Sequence, residues 1–357
     1  MLRFMYSGIS GMKVNQTKLD VIGNNITNVS TTGFKSSSVR FKDMLYQNAG
    51  EATAPTSALG GTNAKQVGLG SQVSSINKVM GQGNALATGR SLDVCIDGDG
   101  YLVVAKGDIT GGITITPADG LATTSTATGT LSETLFTRDG NLTLDYQGNL
   151  LTADGHRVMG YYMTSATNTG GTANATSLAY NATSGAIEAT YVNADMKDLQ
   201  ATTDNTMKPL AIPDSITVGT GASAVKDPVK KYEIGSDGVI TCVLGSGKRA
   251  AIGQIAMASF KNPEGLTDIG GNMSLNSSNS GPTVYKNGKV NATTKTATTP
   301  DNSAGYGSMI QGALEGSNVD LTEQFTDMIT ASKSFQAASK LISTGDEILT
   351  TITGLVR

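Results

Sequence analysis

Apolar residues fall three, four or seven positions apart at both ends of this 357-residue chain, a helical spacing that its middle lacks. Near the N-terminus the stripe is Met5, Ile9, Met12, Leu19, Ile22, Ile26 and Val29, which predicts one amphipathic helix. It ends in Val29-Ser-Thr-Thr32, a poor helix-forming run, followed by Gly33, which can take the left-handed conformation found after helix C-termini. At the other end Asp320 is a good N-cap, and Glu323 can complete a capping box. The stripe beyond it runs Leu321, Phe325, Met328, Ser332, Phe335, Ala338, Ile342, Gly345, Leu349, Ile352 and Val356 without a proline. At about 1.5 Å per residue this predicts a rod on the order of 50 Å long. Helices beyond about 25 residues belong to coiled coils, repeats or membranes. Glu323, Asp327, Lys333, Lys340 and Asp346 exclude the last of these. An ordinary core helix on a globular domain is the alternative.

Charge favours pairing of the two ends. Residues 1–45 hold six basic and two acidic side chains, whereas residues 316–357 hold three basic and five acidic ones. Between them, turn signals recur at Asp97-Gly-Asp-Gly100, Asp139-Gly-Asn141, Gly148-Asn149, Asp154-Gly155 and Asp237-Gly238, separated by alternating apolar segments that predict β-hairpins. The 44 Gly and 47 Thr suit short strands and many turns. The expected fold is α+β: long N- and C-terminal helices pair as a coiled-coil-like inner domain, with one or two mainly-β domains between them. The expected divisions are 1–45 with 309–357 as the terminal helical assembly domain, 46–75 as a connector, 76–163 with 251–308 as a first β domain, and 164–250 as an inserted outer β domain.

Composition argues against most chemistry. Charged residues make up 15% of the chain, the net charge is -3 and no Lys/Arg run occurs, so neither nucleic acid nor a charged membrane is an expected partner. One His, two Cys and no Trp leave little catalytic or metal-binding vocabulary; no catalytic residue, cofactor or metal ligand is expected, and the chain does not read as an enzyme. Asp97-Gly-Asp-Gly100 runs straight into a strand-like segment, where a calcium loop needs further oxygen ligands, so a hairpin turn is the better reading. Cys95 and Cys242 lie in separate strand-like runs and are expected as unpaired, packed thiols. Residues 1–10 lack the apolar core of a cleavable secretory signal, so any export is expected to use another route.

Gly23-Asn-Asn-Ile-Thr-Asn-Val-Ser-Thr-Thr-Gly-Phe-Lys35 resembles the N-terminal signature of the bacterial flagellar axial proteins, the rod and hook family, and Gly312-Ala-Leu-Glu-Gly-Ser-Asn-Val-Asp-Leu321 resembles their C-terminal one. Ser91–Gly100, Phe136–Asn141, Ala258–Leu266 and Asn279–Pro282 extend the likeness through the first β region. The segment around Gly238-Val-Ile-Thr241 and Ile252–Ala256 is most similar to the hook branch. The resemblance implies a structural subunit of a curved hook tube, a flexible joint carrying torque from rod to filament. A distal rod or hook-like relative is the runner-up, and a secreted β-rich adhesin or fibre a distant third. It further implies a helical homopolymer, contacts with distal rod, hook cap and hook–filament junction proteins, export without a cleaved signal by the flagellar type III apparatus, and an extracellular place in the flagellum. The residues expected to carry assembly are Leu19, Ile22, Asn24, Asn25, Ile26, Asn28, Gly33 and Phe34 at one end, and Asn318, Asp320, Leu321, Phe325, Met328, Phe335, Ile342, Leu349 and Ile352 at the other.

Overall fold

Both stripes fold as helices in the computed structural model, which describes residues 2–57, 59–108, 111–118, 121–128, 133–165, 174–176, 178–180, 187–195, 199–201, 206–219, 224–286 and 307–355. Helix α1 spans Leu2–Thr27 and α2 spans Leu321–Leu355. Asp320 caps α2 as expected, its Oδ1 accepting the backbone N–H of Thr322 at 2.8 Å and of Glu323 at 3.4 Å. Helix α1 ends at Thr27, two residues before the last position of its stripe. Asn28 there turns its amide onto the Asn24 carbonyl at 2.9 Å, competing with continuation of the helix.

Two compact units emerge. The first contains residues 1–30, 35–81 and 318–357. In it α1 and α2 run antiparallel: Phe4 and Met5 lie against Gly345, Gly8 against Ile342, and Gly11 against Ala338. Lys18 meets Asp327 at 3.2 Å, and the Asn25 amide donates to Gln324 Oε1 at 3.0 Å. Gly345 allows the close crossing, because a Cβ there would sit 2.7 Å from the Phe4 ring and the ring would have to shift. Val14, Ile22 and Ala331 are the buried apolar residues of this helix pair.

Residues 46–75, expected as a connector, contribute paired β-strands to the same unit. Strands β1 (Ser37–Asp43), β2 (Tyr46–Gly50), β3 (Lys65–Gly68) and β4 (Ser71–Lys78) pair β1 with β4 and β2 with β3, all antiparallel. Met44 N–H donates to Gly70 O at 2.8 Å and Leu69 N–H to Leu45 O at 3.2 Å, which joins the two pairs into one long ribbon. Its root, β1 and β4, lies against α1. The Gly, Ser and Thr content that suggested a connector collects in the loop between β2 and β3.

The second unit contains residues 31–34 and 82–317. Strands β5 (Ala85–Ala87) and β6 (Val94–Asp97) pair with Ala313–Glu315 and Ser308–Gln311, strands from the far end of the unit. Strand β7 (Tyr101–Lys106) is central, flanked by Glu133–Thr137 on one edge and by Arg157–Ser165 and Met257–Ser259 on the other. Its alternation serves two cores: Leu102 and Val104 enter one apolar cluster, Val103 and Ala105 a second. The first cluster also takes Ile216, Ile234, Ile240, Cys242 and Ile252, so apolar contact is continuous across positions 164 and 250, where an inserted domain was expected to begin and end.

The turns at Gly148-Asn149, Asp154-Gly155 and Asp237-Gly238 do link paired strands. Those at 97–100 and 139–141 bend the chain without making a hairpin, since β6 and β7 take different partners, as do Glu133–Thr137 and Leu142–Leu144.

Candidate assembly surface

Two polar residues of the signatures, Asn25 and Asn318, work as fasteners inside the helical unit. Asn25 is buried, accepts the Ser37 N–H on Oδ1 at 3.0 Å and donates to the Ser37 carbonyl at 2.8 Å, which clamps the start of β1 against α1. Asn318 does the same from the other terminus: its Oδ1 accepts Ser36 N–H at 2.7 Å, while its amide donates to Val79 O at 2.7 Å and Gly81 O at 3.1 Å. A single side chain thereby ties the start of α2 to both strands at the root of the ribbon.

The remaining expected residues sort into three environments. Ile22 is buried, and Leu19, Ile26, Asn28, Met328, Phe335, Ile342 and Leu349 are half-buried along the helix pair. Asn24, Asp320, Leu321, Phe325 and Ile352 are exposed, although the stripe placed the last three on one face with Phe335. Ideal helical rotation of 100° per residue carries a stripe of eleven positions running from Leu321 to Val356 partly off the contact line, so a straight helix cannot bury all of them on one partner. Gly33 and Phe34 belong to the second unit. Gly33 adopts φ +68, as its position suggested, but six residues past α1; it donates its N–H to the Glu315 carbonyl at 2.8 Å. A Cβ at Gly33 would crowd the Arg138–Asp139 backbone at 3.1 Å.

Sequence reasoning missed the ion pair around which that glycine is fitted. Arg138 and Glu315 are both buried, with Arg138 Nη1 donating to the two carboxylate oxygens at 3.1 and 3.2 Å. Arg138 Nε donates to Gly100 O at 2.9 Å, Nη2 donates to Gly98 O, and Gly83 N–H donates to Glu315 Oε1 at 3.0 Å. Five chain segments therefore converge on one charge pair. The available signal was a lone Arg in Phe136-Thr-Arg-Asp-Gly and a lone acid in Ala313-Leu-Glu-Gly, both in a chain with few charges. Tyr101 lies beside the pair, its ring 5.4 Å from the Arg138 guanidinium; burial raises its pKa, opposed by the arginine charge.

Cys95 and Cys242 are buried and form no disulfide, and burial pushes the Cys242 thiol up to about 12. Among the described residues no group of three or more His, Cys, Asp or Glu could hold a metal ion, and no helix is long and apolar enough to cross a membrane.

Residues 5–35 match the flagella basal body rod protein family, and residues 310–355 match the C-terminal family of flagellar basal body rod FlgEFG proteins. The flagellar basal-body rod protein FlgG of Bacillus subtilis (strain 168) is 37% identical over 357 residues, covering 100% of both chains. This chain belongs to the flagellar rod and hook family. Flagellar hook protein FlgE of Treponema pallidum (strain Nichols) is 30% identical over 476 residues, again across 100% of both chains. FlgE of Borreliella burgdorferi is 29% identical over 447 residues and 98% of each. The two matched blocks of this flagellar axial protein contain almost all of α1 and α2, together with Gly33, Phe34, Glu315 and Asn318.

Proposed function

We propose that this flagellar axial subunit polymerises into the curved hook tube, with α1 and α2 forming a coiled-coil-like inner wall and the β regions outside it. The observation that carries polymerisation is apolar surface left over after the helices have paired. Phe325 is 50% exposed, Ile329 63% and Leu355 80%, with Leu321, Leu341, Ile348 and Ile352 also open to water on α2 and Tyr6 and Ile9 on α1. Apolar side chains clustered on this scale mark an interaction surface, each stabilising the assembly by roughly 25 cal/mol per Å² of apolar area that a neighbouring subunit covers.

Bending is supported by a weakly charged chain, in which few strong ion pairs would hold neighbouring subunits to one register. A straight distal rod is the second reading, favoured by the full-length likeness to FlgG. Either tube would connect to other axial proteins of rod, cap or junction type and would be supplied by flagellar type III export. Purified protein raised above its critical concentration should sediment and give curved tubes in electron micrographs. Straight tubes would establish the rod reading, and monodisperse particles at every concentration would refute polymerisation.

A further inference from the structure

The helical unit contains an apolar groove of about 600 Å³ on the side of α1 turned away from α2. One wall is Tyr6, Ile9, Lys13 and Val14 of α1, the other Met44, Leu69 and Val73 of the ribbon. From Tyr6 to Thr17 the α1 wall extends about 16 Å at the helical rise of about 1.5 Å per residue. No residue of α2 lines it.

The last turns of α2 have the complementary shape and charge. Ile348, Ile352 and Leu355 recur at steps of four and three, all exposed, over about 10 Å of helix. Residues 341–357 carry Asp346 and Glu347 against the single basic Arg357 at the chain's last position, while the one charged side chain in the groove is Lys13. Carbonyls at the helix C-terminus add partial negative charge in the same place.

The tail of α2 cannot enter the groove of its own chain. The antiparallel register sets Gly345 on Phe4, so Ile348–Leu355 lie beyond the start of α1, whereas the groove runs the opposite way, from Tyr6 toward Thr17. We therefore infer that the Ile348–Ile352–Leu355 edge of one copy docks in the Tyr6–Ile9–Lys13 groove of the next, an amphipathic helix lying in an apolar groove. Groove and tail are different surfaces of one unit, so the contact is heterologous, the class that extends into an open helical array when its rotation does not close a ring. This rests on the polymer reading above and assigns it a specific joint.

The test mixes two full-length variants, Ile9→Cys and Ile352→Cys, of which one carries a size tag; the native Cys95 and Cys242 are buried. After polymerisation a short bis-maleimide should join the tagged to the untagged chain, and either variant alone should give no such dimer. Tubes that form without the mixed cross-link would overturn the joint while leaving polymerisation intact. A cross-link from Ile9→Cys to Leu59→Cys in place of Ile352→Cys would assign the groove to a neighbour's ribbon loop and also overturn it. Failure of the unmodified chain to sediment would refute the polymer reading, and the joint with it. As a second measurement, Ile352→Asp should raise the critical concentration about tenfold or more, the factor corresponding to about 1.4 kcal/mol, with the unfolding temperature of the β unit unchanged. An unaltered critical concentration would contradict the joint.

Discussion

Replacing Arg138 by Met tests whether the buried ion pair holds the β unit together. The substitution keeps much of the aliphatic stem but removes the guanidinium, leaving the Glu315 carboxylate buried without its cation, the Gly83 N–H still donating at 3.0 Å, and taking the Arg138 bonds away from the carbonyls of Gly98 and Gly100. Breaking a buried pair from one side costs about 3–5 kcal/mol, because the surviving charge stays desolvated. For a unit of 150–250 residues each kcal/mol lowers Tm by about 2–4 °C, so a fall on the order of 10 °C is expected in circular dichroism melts of the full chain. Adding Glu315→Leu removes the stranded charge but leaves the Gly83 N–H unsatisfied, at about 1–3 kcal/mol. The double variant should therefore melt between the single variant and the wild type. An Arg138→Met protein melting within about 2 °C of wild type, less than about 1 kcal/mol explains, or a double variant no better than the single one, would refute the reasoning.

Phe325 and Phe335 separate monomer packing from assembly. Phe325→Ala, on an exposed residue, should raise the critical concentration for polymerisation by about tenfold, equivalent to about 1.4 kcal/mol, with unchanged melting, whereas Phe335→Ala, half-buried on the helix pair, should also reduce helical content of the monomer. Burial raises the Tyr162 pKa from 10.0 to about 12, so its folded-state stabilisation is complete below pH 10 and is lost as pH rises through 12. Urea midpoints should drop across that window, and Tyr162→Phe should flatten the drop. Both cysteines are buried and the Cys242 thiol is held up to about 12, so a thiol reagent at neutral pH should label neither in the native protein and both in urea. Rapid labelling of the folded chain would contradict this packing.

What could be read from the residue order is what short-range physics decides. The helical period of Ile22, Ile26, Met328 and Ile342, the Asp320 cap and the left-handed Gly33 each depend on a few neighbouring positions, and all are present. Asp97-Gly-Asp-Gly100 was legible as a turn for the same reason, but not as the hairpin expected of it, because β6 and β7 take different partners. Which strand lies beside β6 is decided by contacts with Ser308–Gln311, over 200 residues away, and nothing local to the turn reports that. The outer part of the ribbon was hidden because β2 and β3 are exposed on both faces and so lack the apolar alternation of a half-buried strand. Asn25 and Asn318 could be picked out by resemblance, but their role as clamps on Ser36 and Ser37 appears only once α1, α2 and the ribbon root are side by side.

The hydrogen bond from Gly33 to Glu315 also sets how the β unit would carry load. Residues 31–34 form a short segment of that unit separate from 82–317, and they are stitched to its C-terminal end at one spot, with Arg138 anchoring the stitch to the carbonyls of Gly98 and Gly100. A pull transmitted through both terminal segments meets this rivet before it reaches the sheet around β7. In a shaft that is twisted with every revolution, stress would be concentrated on a charged fastening that can re-form, and the apolar cores would turn as a solid body.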